Sequence, residues 1–152
     1  MQIEEVMTKK VAFCRVDDQL NVAAQIMWDR DCGSVPVVDL AGRVVGMLTD
    51  RDICMAAYTR GLPLSQIRAD SVMSKELHLA RAGDPIDVAR KLLAAHQIRR
   101  LPVVGADGRL AGIISLGDLA RAALVLKGGR SNGFGADAIE TALVAICRPR
   151  AE

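Results

Sequence analysis

A seven-residue pattern with a hydroxyl and a carboxylate occurs twice in the chain, at Gly46–Asp52 and at Gly112–Asp118. In each copy a glycine and two apolar residues precede Thr or Ser, and Asp follows three positions later. This spacing is close to a helix capping box, in which both side chains satisfy backbone N–H groups. Asp is shorter than the usual Glu or Gln, so we expect its carboxylate to face outward. A hydroxyl and a carboxylate at a helix N-terminus can hold a ribose and phosphates.

The two copies belong to a longer internal repeat. Shifting the sequence by 66 positions places Val6–Ala57 on Val72–Ala123 without a gap, and aligns Gly, Pro and Asp residues in order. Such self-similarity indicates one supersecondary unit used twice. Because each unit of roughly 50 residues buries too little surface alone, we expect the two to pack together.

Hydrophobic periodicity and turn residues predict the order βαββα in each unit. We expect first strands at Val11–Cys14 and Leu77–Ala80, and first helices capped by Asp18 and Asp84. The predicted hairpins pair Val35–Asp39 with Val44–Leu48, and Leu101–Val104 with Leu110–Ile114. The second helices are expected to end near Gly61 and near Gly128-Gly129.

The predicted fold class is α+β, with two tandem βαββα repeats packed about a pseudo-twofold axis and a short C-terminal helix. The predicted boundaries are 1–61 for the first repeat, 62–71 for a linker, 72–129 for the second repeat and 130–152 for the rest. That last segment holds a Gly-rich loop, Arg130–Gly135, and an amphipathic helix, Asp137–Cys147.

The pattern of Pro-Val-Val, a Gly-containing turn and Gly-h-h-Thr/Ser-x-x-Asp, where h is apolar, resembles the cystathionine-beta-synthase (CBS) domain. The resemblance covers about 6–57 and 72–123, as in a tandem CBS pair (Bateman module) of the stand-alone bacterial type. Such pairs bind AMP, ADP, ATP and related adenosyl ligands in clefts. The resemblance therefore implies that Asp52 with Thr49, and Asp118 with Ser115, hold ribose hydroxyls.

The resemblance also implies adenine contacts from the other repeat. For the Asp118 cleft these are Thr8, Ala12, Cys32 and Gly33. For the Asp52 cleft they are Ser74, His78, Ile98 and Arg99.

The two clefts differ in basic residues. Arg99-Arg100-Leu101 precedes the second Pro-Val-Val where Gly33-Ser34-Val35 precedes the first. Arg is well suited to phosphate, so Arg100 favours a phosphorylated ligand near Asp118. In the Asp52 cleft we expect Arg51 to compensate in part. The alternative is that Arg99 and Arg100 are a solvated surface pair.

Composition argues against several other classes of protein. Aromatic residues make up 3% of the chain and the net charge is +2, which is unlike a nucleic-acid binder. No apolar run approaches the length of a membrane span, and the acidic start lacks a signal region, so we expect a cytoplasmic protein. We also expect no enzymatic activity, no catalytic cofactor and no metal site, because no nucleophile motif or metal-ligand spacing is present.

Together these observations predict a regulatory module that binds an adenine nucleotide (AMP, ADP, ATP or NAD), forms a homodimer and acts on an unidentified partner protein in trans. The alternative is a structural or dimerisation module whose clefts stay empty.

Overall fold

The protein, seen here in a computed structural model, is described over residues 1–126 and 135–149. The first repeat contains β1 (Cys14–Arg15), α1 (Leu20–Asp29), β2 (Ser34–Val38), β3 (Val44–Thr49) and α2 (Asp50–Arg60). The second contains β4 (Ala80–Arg81), α3 (Ile86–His96), β5 (Arg100–Val104), β6 (Leu110–Ser115) and α4 (Leu116–Leu126). A last helix, α5, spans Ala136–Cys147. The predicted α+β class and the predicted order βαββα in both repeats are therefore confirmed.

Each repeat has its own three-stranded sheet, in the orders β1-β2-β3 and β4-β5-β6. β1 pairs in parallel with β2, and β4 pairs in parallel with β5. The first strands are shorter and later than predicted, because parallel pairing fixes Cys14 opposite Val37 and Ala80 opposite Val103. β2 and β3 form the predicted hairpin, with Val35 opposite Leu48.

The chain forms two compact units whose bounds differ from the predicted ones. The segment that precedes the first strand of each repeat belongs to the unit of the other repeat, and we call it the exchanged segment. The first-repeat unit contains Val11–Leu77 with Gly108–Leu110. The second-repeat unit contains Met1–Lys10, His78–Asp107 and the chain from Ala111 onward. Apolar burial accounts for the exchange: Ile3 lies in the core of the second-repeat unit, and Ile67 lies in the core of the first-repeat unit.

The predicted caps of the first helices are wrong. The Asp18 carboxylate accepts a hydrogen bond from the Arg15 amide at 2.7 Å, and the Asp84 carboxylate accepts one from the Arg81 amide at 3.0 Å. Both side chains therefore close the turn between strand and helix. α1 begins after Gln19 and α3 after Pro85, one residue later than predicted.

α5 packs on α3 and α4, with Ala142 and Ile146 buried. Most of its apolar stripe is therefore covered within its own unit, whereas Leu143 is exposed. The predicted stop at Gly128-Gly129 and all but the last residue of the predicted loop Arg130–Gly135 lie outside the described residues.

Candidate functional site

The first candidate site lies where β3 ends and α2 begins. The Thr49 hydroxyl accepts a hydrogen bond from the Asp52 amide at 3.1 Å. In return Asp52 Oδ2 accepts from the Thr49 amide at 2.8 Å and from the Thr49 hydroxyl at 2.7 Å. These reciprocal bonds hold the carboxylate at the mouth of the helix.

The second candidate site repeats this geometry between β6 and α4. The Ser115 hydroxyl accepts from the Asp118 amide at 3.2 Å. Asp118 Oδ2 accepts from the Ser115 amide at 2.7 Å and from the Ser115 hydroxyl at 2.6 Å. Asp118 is buried, with 7% of its surface exposed. The internal repeat thus extends to individual hydrogen bonds.

The expectation that these carboxylates face outward is wrong. Both turn back toward the hydroxyl three residues earlier and complete a capping box. The short Asp side chain at N3 is long enough to reach the N-cap amide, at 2.8 Å for Thr49 and 2.7 Å for Ser115. One oxygen of Asp52, Oδ1, accepts no hydrogen bond from the part of the chain that the structure describes. That oxygen can accept from a ligand hydroxyl.

An exchanged segment runs beside each pattern. Thr8 forms two backbone hydrogen bonds with Ile113, at 2.9 and 3.0 Å, two residues before Ser115. Ser74 forms the equivalent pair with Met47, at 3.2 and 2.9 Å, two residues before Thr49. The structure therefore brings Thr8 to the strand of Ser115, and Ser74 to the strand of Thr49.

The backbone that precedes each central strand closes the other side of the helix start. The Gly33 carbonyl accepts from the Asp50 amide at 3.1 Å, and the Arg99 carbonyl accepts from the Leu116 amide at 3.0 Å. Gly33 thus lies beside the Asp52 pattern and Arg99 beside the Asp118 pattern. The sequence predicted an adenine contact of Gly33 in the Asp118 cleft and of Arg99 in the Asp52 cleft. Both contacts stay predictions.

Four other predicted site residues lie in the unit opposite to the Asp with which they were grouped. Ala12 and Cys32 belong to the first-repeat unit, and His78 and Ile98 to the second-repeat unit. The His78 ring stacks on His96, with ring centroids 3.4 Å apart. The adenine contacts expected of these four residues also stay predictions.

The predicted basic residues lie at the edges of the two sites. Arg100 is the exposed first residue of β5, and Ser34 is the first residue of β2. Arg51 is exposed in the first turn of α2. Arg100 and Ser34 thus hold equivalent places in the two repeats, as the alignment of the sequence predicts.

Sequence reasoning missed one charged residue, Arg121. Its guanidinium forms an ion pair with Asp118 Oδ1, so both oxygens of Asp118 are engaged. The equivalent residue in the first repeat is Met55. The signal was present in the sequence, because residues three apart on a helix are neighbours.

Two further properties of the described residues bear on function. They contain no cluster of three or more His, Cys, Asp or Glu side chains able to hold a metal ion. Among their helices, none combines the length and the apolar character that crossing a bilayer requires.

Sequence comparison places this geometry in a known family. The family model for the CBS domain matches residues 3–58 and 69–125. The CBS domain-containing protein YhcV of Bacillus subtilis (strain 168) is 39% identical over 118 residues, which cover 78% of this chain and 82% of YhcV.

Solved structures agree with the sequence match. Hypoxic Response Protein I, solved with two coordinated zinc ions, has a TM-score of 0.72 at 30% identity and covers 80% of this chain and 98% of its own. CBSX2 of Arabidopsis thaliana, solved in complex with AMP, has a TM-score of 0.70 at 25% identity and covers 83% of this chain and 98% of its own. The chain, with two repeats that each match the domain, therefore belongs to the CBS domain family.

Proposed function

We propose that this protein is a regulatory module that binds an adenosyl ligand (AMP, ADP, ATP or NAD) at the Thr49–Asp52 and Ser115–Asp118 sites. The observation that carries the proposal is the duplicated hydroxyl–carboxylate pair at a strand end, flanked by an exchanged segment and a backbone carbonyl. The AMP complex of CBSX2 supports the choice of ligand.

The ribose end of the ligand is assigned to the carboxylates. Two adjacent ribose hydroxyls donate hydrogen bonds, and a carboxylate is an acceptor that makes such bonds charge-assisted. Asp52 offers Oδ1, whereas Asp118 offers its oxygens in competition with Arg121.

The phosphate end is assigned to the second-repeat unit. Arg99 and Arg100 are both exposed beside the start of α4, and a guanidinium binds phosphate in a bidentate way. The first repeat has Gly33 and Ser34 at these places, with Arg51 as its nearby cation. We therefore assign phosphorylated ligands to the Asp118 site first.

We propose binding without chemistry. The side chains assigned to the ligand are hydroxyls, carboxylates and guanidiniums, and none is assigned as a base for an attacking water. The output is then a change in how the protein contacts a partner in trans.

A structural role is the second candidate, and the capping geometry favours it. Each hydroxyl and one oxygen of each carboxylate satisfy backbone N–H groups without a ligand. A purely structural module would use both patterns as helix caps and leave the clefts empty.

Thermal-shift screening separates the two candidates. AMP, ADP, ATP, NAD, S-adenosylmethionine and, as a control, GMP are added separately to the protein. A ligand at about 100 times its Kd adds roughly 2.7 kcal/mol to the free energy of unfolding. Stabilisation by at least one adenosyl compound but not by GMP supports the sensor. No shift with any of them supports the structural role.

We also infer self-association through α4 and α5. Ile139, Ala142 and Ile146 of the apolar stripe of α5 are covered in their own unit and do not require a second copy. However, Leu124 and Val125 of α4 and Leu143 and Val144 of α5 leave 47–76% of their surfaces exposed. Four exposed apolar side chains on two helices that pack together are typical of a protein–protein interface.

A further inference from the structure

A cation holds the buried carboxylate of the second candidate site. Arg121 lies three residues after Asp118 on α4, and its guanidinium forms an ion pair with Asp118 Oδ1. Asp118 Oδ2 accepts hydrogen bonds from the amide and the hydroxyl of Ser115. Both oxygens of the carboxylate therefore have partners within the chain, and a ribose that binds Oδ1 must compete with Arg121.

The guanidinium of Arg121 reaches back across a glycine. A Cβ atom at Gly117 would lie 3.6 Å from Arg121 Nη1 and 3.6 Å from the Ser115 hydroxyl oxygen. The positive charge therefore lies over the first turn of α4, next to the Ser115–Asp118 site. All of these residues belong to the second-repeat unit.

The first repeat carries its cation on the other side of the carboxylate in the sequence. The 66-residue offset aligns Arg51 with Gly117, and Met55 with Arg121. Each repeat thus has one arginine close to its Asp, before it in the first repeat and after it in the second. Met55 cannot form an ion pair, so Asp52 Oδ1 has no hydrogen-bond donor among the described residues.

Displacement of Arg121 leaves a positive charge that a ligand can satisfy. The side chain of Arg121 is 72% exposed, so it can turn toward the opening of the site when a ribose takes Asp118 Oδ1. It remains attached one helical turn away from that ribose. A guanidinium binds a phosphate through two parallel, charge-assisted hydrogen bonds. A phosphorylated ligand therefore replaces the partner that Arg121 loses, whereas a neutral nucleoside does not.

We propose that Arg121 makes the Asp118 site selective for adenosyl ligands that carry a phosphate. Arg121 competes with the ribose for Asp118 and, once displaced, binds the phosphate. Adenosine meets only the competition. S-adenosylmethionine is disfavoured further, because its sulfonium adds a positive charge beside the guanidinium. The inference rests on the proposed binding of an adenosyl ligand and adds which ligands this site accepts.

Calorimetric titration with AMP and with adenosine measures this selectivity. The parent protein carries Asp52→Asn, which weakens the first-repeat site so that the heat reports on the Asp118 site. We expect Arg121→Met in this parent to bind AMP about ten-fold more weakly and adenosine up to about five-fold more tightly. Loss of folded structure would weaken both ligands, so opposite changes identify a direct effect on selectivity.

A matched variant controls for the loss of a charge. Arg43→Met removes an arginine whose side chain is 67% exposed and pairs with Asp39 on the first-repeat hairpin. It changes the net charge by the same amount as Arg121→Met. We expect it to leave the affinities for AMP and adenosine as they are in the parent. Circular dichroism checks that every variant is folded.

A rescue variant tests whether the position of the cation matters. Gly117→Arg combined with Arg121→Met copies the arrangement of Arg51 and Met55 in the first repeat. Gly117 is part of α4, and a Cβ there has ordinary contacts, so the side chain should be accepted. We expect this double variant to recover at least about half of the lost AMP affinity on a logarithmic scale, which is about three-fold.

The ratio of AMP affinity to adenosine affinity decides the proposal. A fall of more than about five-fold in Arg121→Met supports it, and a smaller change or a rise overturns it while AMP still binds the parent. If no adenosyl ligand binds the parent or the wild type, the proposed function itself fails, and the inference fails with it. AMP binding to the parent thus separates failure of the inference alone from failure of both.

Discussion

Asp118 and Asp52 hold equivalent positions but have different neighbours. Arg121 forms an ion pair with Asp118, whereas the first repeat has Met55 at that place. Asp118 is buried, but the side chain of Arg121 is 72% exposed and water screens its charge, so the pair contributes on the order of 1 kcal/mol. A ribose can therefore displace Arg121 from Asp118 at a small cost in free energy.

Arg121→Met tests that competition. The variant copies the first repeat and leaves Asp118 Oδ1 open to the ribose. We expect adenosine to bind up to about five-fold more tightly, which corresponds to an ion-pair energy of about 1 kcal/mol. Calorimetric titration with adenosine measures the change. Weaker adenosine binding would mean that Arg121 contacts the ligand directly.

Cys14 gives a prediction for alkaline pH. Burial, with the charge of Asp18, raises the pKa of its thiol from the ordinary value of 9.0 to about 11. The folded state thus keeps a proton that the unfolded state releases between these values. The resulting stability is complete below about pH 9 and is lost as pH rises toward about 11.

Urea unfolding of the wild type and Cys14→Ala at about pH 8 and about pH 10.5 measures this effect. Other groups titrate in the same range, so the difference between the two proteins is the relevant quantity. We expect the wild type to lose more stability than Cys14→Ala, by roughly 1–2 kcal/mol. Equal losses would contradict the role of the thiol.

For individual residues, some features of the candidate sites could be predicted from the sequence and others could not. The spacing of Thr49 and Asp52 predicted both a cap and a ligand site, and the cap is present. The direction of the carboxylate was predicted wrongly, because spacing does not determine which rotamer a side chain adopts. Arg121 was accessible to the i,i+3 rule, whereas the stacking of His78 on His96 depends on tertiary packing.

At the scale of elements, the exchanged segments depend on two glycines. A side chain at Gly112 would meet Met7 Sδ at 2.6 Å and the Thr8 carbonyl oxygen at 2.8 Å. At Gly46 the three nearest atoms that a side chain would meet all belong to the side chain of Met73, between 2.4 and 3.0 Å away. Both close approaches let the leading segment of one repeat pair with the last strand of the other.

Gly112→Ala and Gly46→Ala should therefore differ in cost. At Gly112 the backbone of Thr8 must move, so we expect a loss of about 1–3 kcal/mol in the free energy of unfolding. At Gly46 the flexible Met73 side chain can adjust, so the loss should be smaller. Urea denaturation compares the two variants. A larger loss at Gly46 would show that the Thr8 contact is not the stricter constraint.

The elements themselves were largely predictable, but their partners were not. The turn residues and the apolar periodicity of α1 and α3 predicted βαββα correctly. The assignment of Ile3 to the core of the second-repeat unit was not predictable from local patterns, because it depends on contacts about 80 residues apart in the chain. The Asp18 and Asp84 caps failed for a local reason, since Asp also closes turns.

At the scale of the whole molecule, the homodimer is the main prediction. We expect light scattering to give twice the chain mass of 16.3 kDa for the wild type. Leu124→Glu places a charge on the exposed face of α4 and should reduce the mass to 16.3 kDa. Thr59→Arg on α2 serves as the control and should remain dimeric. A monomeric wild type at micromolar concentration would contradict the prediction.

The central proposal is that an adenosyl ligand binds at the carboxylates, and calorimetric titration of AMP into the wild type, Asp118→Asn and Asp52→Asn tests it most directly. Asn keeps an acceptor for the capping amide while it removes the charge, so helix starts should remain intact. We predict saturable AMP binding to the wild type. We predict a loss of about 10- to 100-fold for Asp118→Asn, since a hydrogen bond to a charged acceptor contributes roughly 1.5–3 kcal/mol. Asp52→Asn should lose less. Wild-type affinity in a folded Asp118→Asn variant, or no binding of AMP, ADP, ATP or NAD to the wild type, would contradict the proposal.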